Sequence, residues 1–315
     1  MSVAFMFPGQ GSQAVGMGKD VCERYASARE VFDEVDEALG EKLSETIWNG
    51  PDDRLTLTEN AQPALMAMSL AVVRVLEKDK GFDLAAHAAF VAGHSLGEYS
   101  ALAAAGALGV SDAAQLLRTR GQAMQAAVPV GEGAMAAMLG IQLDKADELA
   151  KAAAEGEVCQ TANDNAPGQV VLSGAKSAVE RAVAMAKDFG ARRAVLLNVS
   201  APFHSALMAP AAAVMKKALG EVEISEPRVP VVANVVAGPI SDPDEIRRRL
   251  VEQVTATVRW RESIGFMASA GVTTFNEVGS GRVLSGLVRQ IDRSLATAPV
   301  GTCDEIDALA NTLGA

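Results

Sequence analysis

The chain has 315 residues, 49% hydrophobic and 21% charged, with a formal net charge of −11. That length supports a sizeable core and more than one structural unit, and the acidic balance makes the chain a poor candidate for nucleic-acid binding, which needs a clustered basic surface. Three cysteines far apart in the chain, Cys22, Cys159 and Cys303, exclude a disulfide framework or a CxxC metal pair and read as reduced structural thiols.

MSVAFMFPGQGSQ has no basic leader followed by a long apolar segment, so no signal peptide is expected. VAFMF (3–7) is a short apolar run closed by Pro8 and Gly9 and predicts a buried strand. Helical patterns follow to about Lys80, and ALMAMSLAVVRVLEK (64–78) is apolar enough for a core helix. AAFVAGH (88–94) predicts a second buried strand, LGEYSALAAAGAL a helix, and SDAAQLLRTRGQAMQAA (111–127) another, with Ser111 and Asp112 as a cap signal. The apolar run at 101–110 is about half of the roughly 20 residues a membrane span needs, so a cytoplasmic protein is expected. Strands alternating with helices predict a parallel sheet covered on its faces.

The pattern changes near Pro129. AMAAMLGI, DKADELAKAAAEG, EVCQTAN, QVVLSG, KSAVERAVAMAKDFG and RRAVLLNVS read as β-α-β-β-α-β, the ferredoxin-like order. A small subdomain over 129–199 is therefore expected, inserted into a larger domain made of 1–128 and 200–315. Beyond it the patterns predict a helix near 207–220, a strand near 229–233, helices near 242–253 and 259–270, the strand VTTFNEV and a helix from about Arg282.

Gly93-His94-Ser95-Leu96-Gly97 fits G-x-S-x-G between a buried strand and a helix. Such a turn lifts the serine hydroxyl clear of the sheet and aims backbone N–H groups at an oxyanion formed there. A structural turn is the alternative. A serine nucleophile needs a base, and the chain has three histidines. His87 reads as a surface or packing residue. His94 adjoins Ser95 and suits the pocket mouth better than the role of base. His204, in SAPFHSALM, is the best candidate base, against a structural role as the alternative. No acid stands out to orient it: Asp112, Asp144, Asp164, Asp242 and Asp244 are available, and a backbone carbonyl can do the same work. Arg120 lies near the end of its helix. It reads either as a cation favoured by the helix dipole or, if inward, as a clamp for a substrate carboxylate.

FPGQGSQ, GHSLGEYSAL, RGQAM, PGQVVLSG, PFHS and NEVGSGRVLSGL occur in that order between about Val3 and Arg289. The set resembles the malonyl-CoA:acyl carrier protein transacylases of bacterial fatty-acid synthesis and the related acyltransferase domains of polyketide synthases. The resemblance implies an α/β-hydrolase-like core with a parallel sheet, interrupted by a ferredoxin-like subdomain. Carried over to this chain, it makes Ser95 the acylated nucleophile, His204 its base, and Gln10 and the Leu96 N–H the oxyanion hole. Arg120 would hold the malonyl carboxylate, and the Gln253 carbonyl would orient the histidine. Met124 and Met135 match pocket-lining positions, and Asn165 falls in the small-domain wall of the cleft. Phe203, before the histidine, points to malonyl over methylmalonyl.

The implied reaction is a ping-pong transfer of malonyl from CoA to the phosphopantetheine thiol of an acyl carrier protein, with no metal or redox cofactor, carried out by a monomer. Arg192/Arg193, Lys216/Lys217 and Arg247–Arg249 are the basic clusters open to an acidic carrier. A serine esterase or thioesterase shares the elbow but has no use for Arg120 or the inserted unit. A non-catalytic carrier-binding subunit would have no need of Ser95, His204, Gln10 and Arg120 together. Fatty-acid and polyketide pathways stay equally open.

Overall fold

The first apolar run forms β1 (Ser2–Phe7), and the run before the Ser95 turn forms β2 (Ala88–Gly93), paired in parallel. The computed structural model describes residues 2–313. Along β1 the side chains alternate between two cores. Phe5 and Phe7 join the cluster containing Leu65 and Met68 of the long helix Thr58–Lys80, whereas Ala4 and Met6 join Trp260 and Phe275. A strand buried on both faces reads as a continuous apolar run, as VAFMF does.

The inserted segment supplies β3 (Gly133–Leu139), β4 (Cys159–Ala166), β5 (Gln169–Ala175) and β6 (Arg193–Leu196). They form a separate antiparallel sheet in the order β4-β5-β3-β6. Helices Leu143–Ala154 and Lys176–Met185 pack on it: Ala136 and Met138 of β3 share a core with Leu149 and Val179. Met135 points the other way, into the cluster of the larger unit.

The chain then returns to the parallel sheet through β7 (Val231–Ala233), β8 (Gly238–Ile240), β9 (Val272–Val278) and β10 (Ala296–Val300). The order is β10-β9-β1-β2-β7-β8, parallel except for β8. The sequence reading anticipated β7, β9 and the helices between them, but not β8, β10 or the final helix Cys303–Leu313. Both overlooked strands lie at sheet edges and carry a proline, Pro239 and Pro299, which an edge tolerates and a central strand does not.

A seam joins the two sheets. The Asp164 N–H donates to Val258 O (3.0 Å), the Val258 N–H donates to Ala162 O (2.9 Å), and Thr257 Oγ1 donates to Thr161 O (2.6 Å). Beside them, Arg261 forks onto the buried Asp164 carboxylate at 2.7–3.0 Å. Among the described residues no helix is long and apolar enough to cross a membrane.

Candidate active site

The turn after β2 is as tight as its glycines imply. A Cβ on Gly93 would lie 1.8 Å from Gly97 O, and one on Gly97 would lie 2.3 Å from Phe7 O. The chain then enters the elbow helix, Gly97–Ala104, with Ser95 between them at φ 53°, a left-handed conformation that costs a serine free energy. Asn234, just past β7, holds this turn from both sides. Its Oδ1 accepts from the Ser95 N–H (2.8 Å) and its Nδ2 donates to Gly93 O (2.7 Å).

His204 follows the inserted unit, also at positive φ (56°), and is buried. Its Nε2 is 2.7 Å from Ser95 Oγ, and its Nδ1 is 2.9 Å from Gln253 O. A carbonyl oxygen can only accept, so Nδ1 carries the proton and Nε2 presents its lone pair to the serine hydroxyl. Burial, reinforced by the Arg120 charge, pushes the His204 pKa down to about 3, so the ring is neutral at physiological pH. The sequence's missing acid is thus answered by a main-chain oxygen. Asp164 is engaged with Arg261, and Asp242 caps a helix by accepting from the Glu245 N–H (2.7 Å).

Arg120 is turned inward and only 2% exposed. It reaches the site because Gly121 lets its helix, Val110–Ala126, press against the start of the long helix: a Cβ there would lie 2.5 Å from Glu59 Cα. Nη1 donates to Gln62 Oε1 (2.7 Å), and Nη2 donates to Gln253 Oε1 (2.9 Å) and to Ser95 Oγ (3.1 Å). The guanidinium also sits 5.7 Å from the centre of the Tyr99 ring. No carboxylate touches it, and its Nε–H has no acceptor among the described residues. The helix-dipole reading of Arg120 fails, because the side chain points away from solvent.

A cavity of about 380 Å³ opens on these groups. Gln10, His94, Leu96, Met124, Met135, Asn165 and Phe203, all singled out from the sequence, line it together with Ser95, Arg120 and His204. Gln253 acts from behind, through its carbonyl and its side-chain amide. The main-chain N–H groups of Gln10 and Leu96 have no acceptor among the described residues, which leaves them open to an oxyanion. Across the cleft, His94 Nε2 donates to Asn165 Oδ1 (2.8 Å). His87 lies outside, stacked on Phe82 at 4.7 Å, as a packing residue.

Three positions escaped the sequence reading. Gln62 links Arg120 to Thr58 Oγ1 (2.9 Å), which donates to Gln10 Oε1 (2.9 Å). Asn234 pins the elbow, and Glu98 lies beneath it, fully buried. An acid in the first turn of a helix passes for an ordinary dipole partner, while Gln62 and Asn234 are single amides in apolar runs with no motif around them. Of the basic clusters, Arg247 donates to Leu219 O and Val222 O, and Arg248 and Arg249 pair with Glu245 and Glu252. Arg192 and Arg193 form no ion pair among the described residues.

The acyl transferase domain family matches residues 4–303. The chain is 48% identical over 312 residues to the malonyl CoA-acyl carrier protein transacylase of Bacillus subtilis, covering 99% of this chain and 97% of that one. It superposes on the acyl-carrier-protein S-malonyltransferase of Bartonella henselae with a TM-score of 0.98 at 56% identity, covering all of both chains. It also matches a malonyl-transacylase solved in complex with its type II polyketide-synthase acyl-carrier protein, with a TM-score of 0.95 at 39% identity, over 99% of this chain and 100% of that one.

Proposed function

The chain belongs to the acyl transferase domain family, and from that premise we propose that it moves a malonyl group from CoA to the phosphopantetheine thiol of an acyl carrier protein through a malonyl-Ser95 intermediate. One observation carries the reading. A base and a cation converge on the same hydroxyl oxygen, with His204 Nε2 at 2.7 Å and Arg120 Nη2 at 3.1 Å from Ser95 Oγ.

In the first half-reaction Ser95 Oγ attacks the thioester carbonyl while His204 Nε2 takes its proton. The Gln10 and Leu96 N–H groups stabilise the oxyanion, at about 2.7–4 kcal/mol per donor in related chemistry. The C–S bond then breaks, and His204 returns the proton to the departing CoA sulfur. The second half-reaction reverses these steps, with the carrier thiol as nucleophile and Ser95 as leaving group. Arg120 holds the malonyl carboxylate, and its place in the cavity lining with only neutral hydrogen-bond partners supports that role. Acetyl leaves the same buried cation unpaired, which selects against it. A bound malonyl carboxylate also offsets the Arg120 charge that depresses His204, so a carboxylated substrate makes the base stronger.

The larger unit, 1–128 and 200–315, reads as hydrolase-like, and its strand–elbow–helix supports that. The inserted 129–199 reads as ferredoxin-like, supported by the antiparallel order β4-β5-β3-β6 with two helices on one face. We take the enzyme to work in the cytoplasm as a monomer, without metal or redox cofactor.

Intact-protein mass spectrometry after malonyl-CoA tests the reading. One malonyl adduct should persist without carrier and be lost when holo-carrier is added. Steady hydrolysis without carrier would identify an esterase instead, and no adduct at all would indicate a non-catalytic subunit.

A further inference from the structure

Glu98 is buried in the first turn of the elbow helix and lines no part of the cavity. Its Oε2 accepts from Gln253 Nε2 (2.8 Å) and from the Asn234 N–H (2.9 Å). Gln253 in turn turns its Oε1 to Arg120 Nη2 (2.9 Å) and offers its backbone oxygen to His204 Nδ1 (2.9 Å). A side-chain amide has a donor end and an acceptor end. Gln253 Nε2 also donates to Ser95 O (3.1 Å), so the Glu98 carboxylate and that carbonyl, both acceptors, together fix the donor end and therefore turn the acceptor end toward Arg120.

The same carboxylate solves a charge problem. Arg120 is buried, and every group it touches is neutral: Gln62, Gln253 and Ser95. A carboxylate in direct contact would balance it, but would also occupy the donors that a substrate carboxylate needs. Glu98 stands one amide away, close enough to act on the guanidinium by charge and too far to block it.

We propose that Glu98 is a positioning residue that moderates the preference for carboxylated acyl groups, holding the Gln253 amide toward Arg120 and supplying a counter-charge that partly offsets the guanidinium without occupying it. The inference rests on the reading of Ser95 and Arg120 given above.

It predicts that Glu98 moderates malonyl selection. Its charge partly cancels Arg120 and repels an incoming carboxylate, so neutralising it sharpens the choice of malonyl over acetyl. Burial raises the Glu98 pKa to about 7, which brings this within reach of pH. The charged or titratable groups facing Glu98 are Arg120 from the neighbouring helix and Tyr99 from its own. Burial pushes Tyr99 up to about 12, and Arg120 stays cationic, so neither changes state near neutrality.

The test is competition labelling by an equal mixture of malonyl-CoA and acetyl-CoA, read as the ratio of adducts by intact mass. Glu98→Gln keeps the acceptor and removes the charge. At about pH 8 its malonyl-to-acetyl ratio should exceed that of the unmodified protein by roughly three- to thirty-fold. In the unmodified protein the ratio should rise as pH falls from about 8 to 6, while in Glu98→Gln it should stay flat. An unchanged or lower ratio in Glu98→Gln overturns the proposal. A pH-independent ratio in the unmodified protein overturns it too, and that measurement needs no variant to fold. Arg120→Ala separates the underlying reading: its ratio should collapse toward acetyl. If it does not, the clamp role fails, and the role of Glu98 falls with it.

Discussion

On the parallel-sheet wall of the cleft, Ser95, His204 and Arg120 are each held through a hydrogen bond to a second residue. Asn234 fixes the Ser95 main chain, the Gln253 carbonyl fixes His204, and Gln62 and Gln253 flank Arg120. Across the cleft, Met135 and Val171 reach the cavity by strand alternation, from the face of β3 and β5 opposite their own helices. On the first wall, buried side-chain and main-chain hydrogen bonds place Ser95, His204 and Arg120. The second is a surface shaped to fit. The contrast teaches that chemistry and fit are encoded separately here, and that substitutions on the two walls should fail in different ways.

The hardest break is Ser95→Ala. Malonyl retention should vanish and transfer should fall by roughly 10⁴-fold or more, measured with labelled malonyl-CoA; retained label would place the nucleophile elsewhere. Gly93→Ala attacks the same wall through its backbone. With the new Cβ 1.8 Å from Gly97 O, a loss of about 4 kcal/mol or more in denaturant unfolding is expected. Arg120→Ala should lower malonyl acylation about 100-fold, from the loss of charged hydrogen bonds worth about 1.5–3 kcal/mol each, while acetyl acylation holds or rises. Equal loss of both would dissolve the distinction between clamp and scaffold. On the fitting wall, Asn165→Ala should raise KM by less than about ten-fold and leave kcat nearly unchanged.

The smallest expected effect lies in pH. His204 is held at about 3, so below the ordinary imidazole value of 6.5 the unfolded chain takes up a proton that the folded chain refuses. Its contribution to stability is therefore present above that value and fades as pH falls. Glu98, raised from 4.5 to about 7, works in the opposite sense: its contribution is present below 4.5 and fades as pH rises through 7. Between 4.5 and 6.5 the two oppose each other. Glu98→Gln removes one of them, so its melting temperature should decline on acidification more steeply than that of the unmodified protein.

The first wall could be traced in the chain where a motif imposes geometry. Gly93 and Gly97 announce a turn that no larger residue could make, and three histidines leave few partners for a serine. Gln253 came only through family resemblance, because its backbone oxygen does the orienting and any residue type has one. Glu98, Gln62 and Asn234 escaped because their meaning lies in contacts across long sequence separations, where no local period points. The edge strands β8 and β10 escaped because proline reads as a breaker until the sheet order is known. In the Arg247–Arg249 cluster, Arg247 donates to Leu219 O and Val222 O and Arg249 pairs with Glu245 and Glu252, while Arg248 stays largely exposed beside Glu245.

The seam has a practical meaning for anyone building chimeras. Val258 bonds in register to the inserted sheet only five positions after the carbonyl that steers His204. A transplant of 129–199 from a relative would therefore tug on His204 unless the strip from Gln253 to Arg261 travels with it. The two stretches, more than fifty positions apart in the gene, should be exchanged as one cassette.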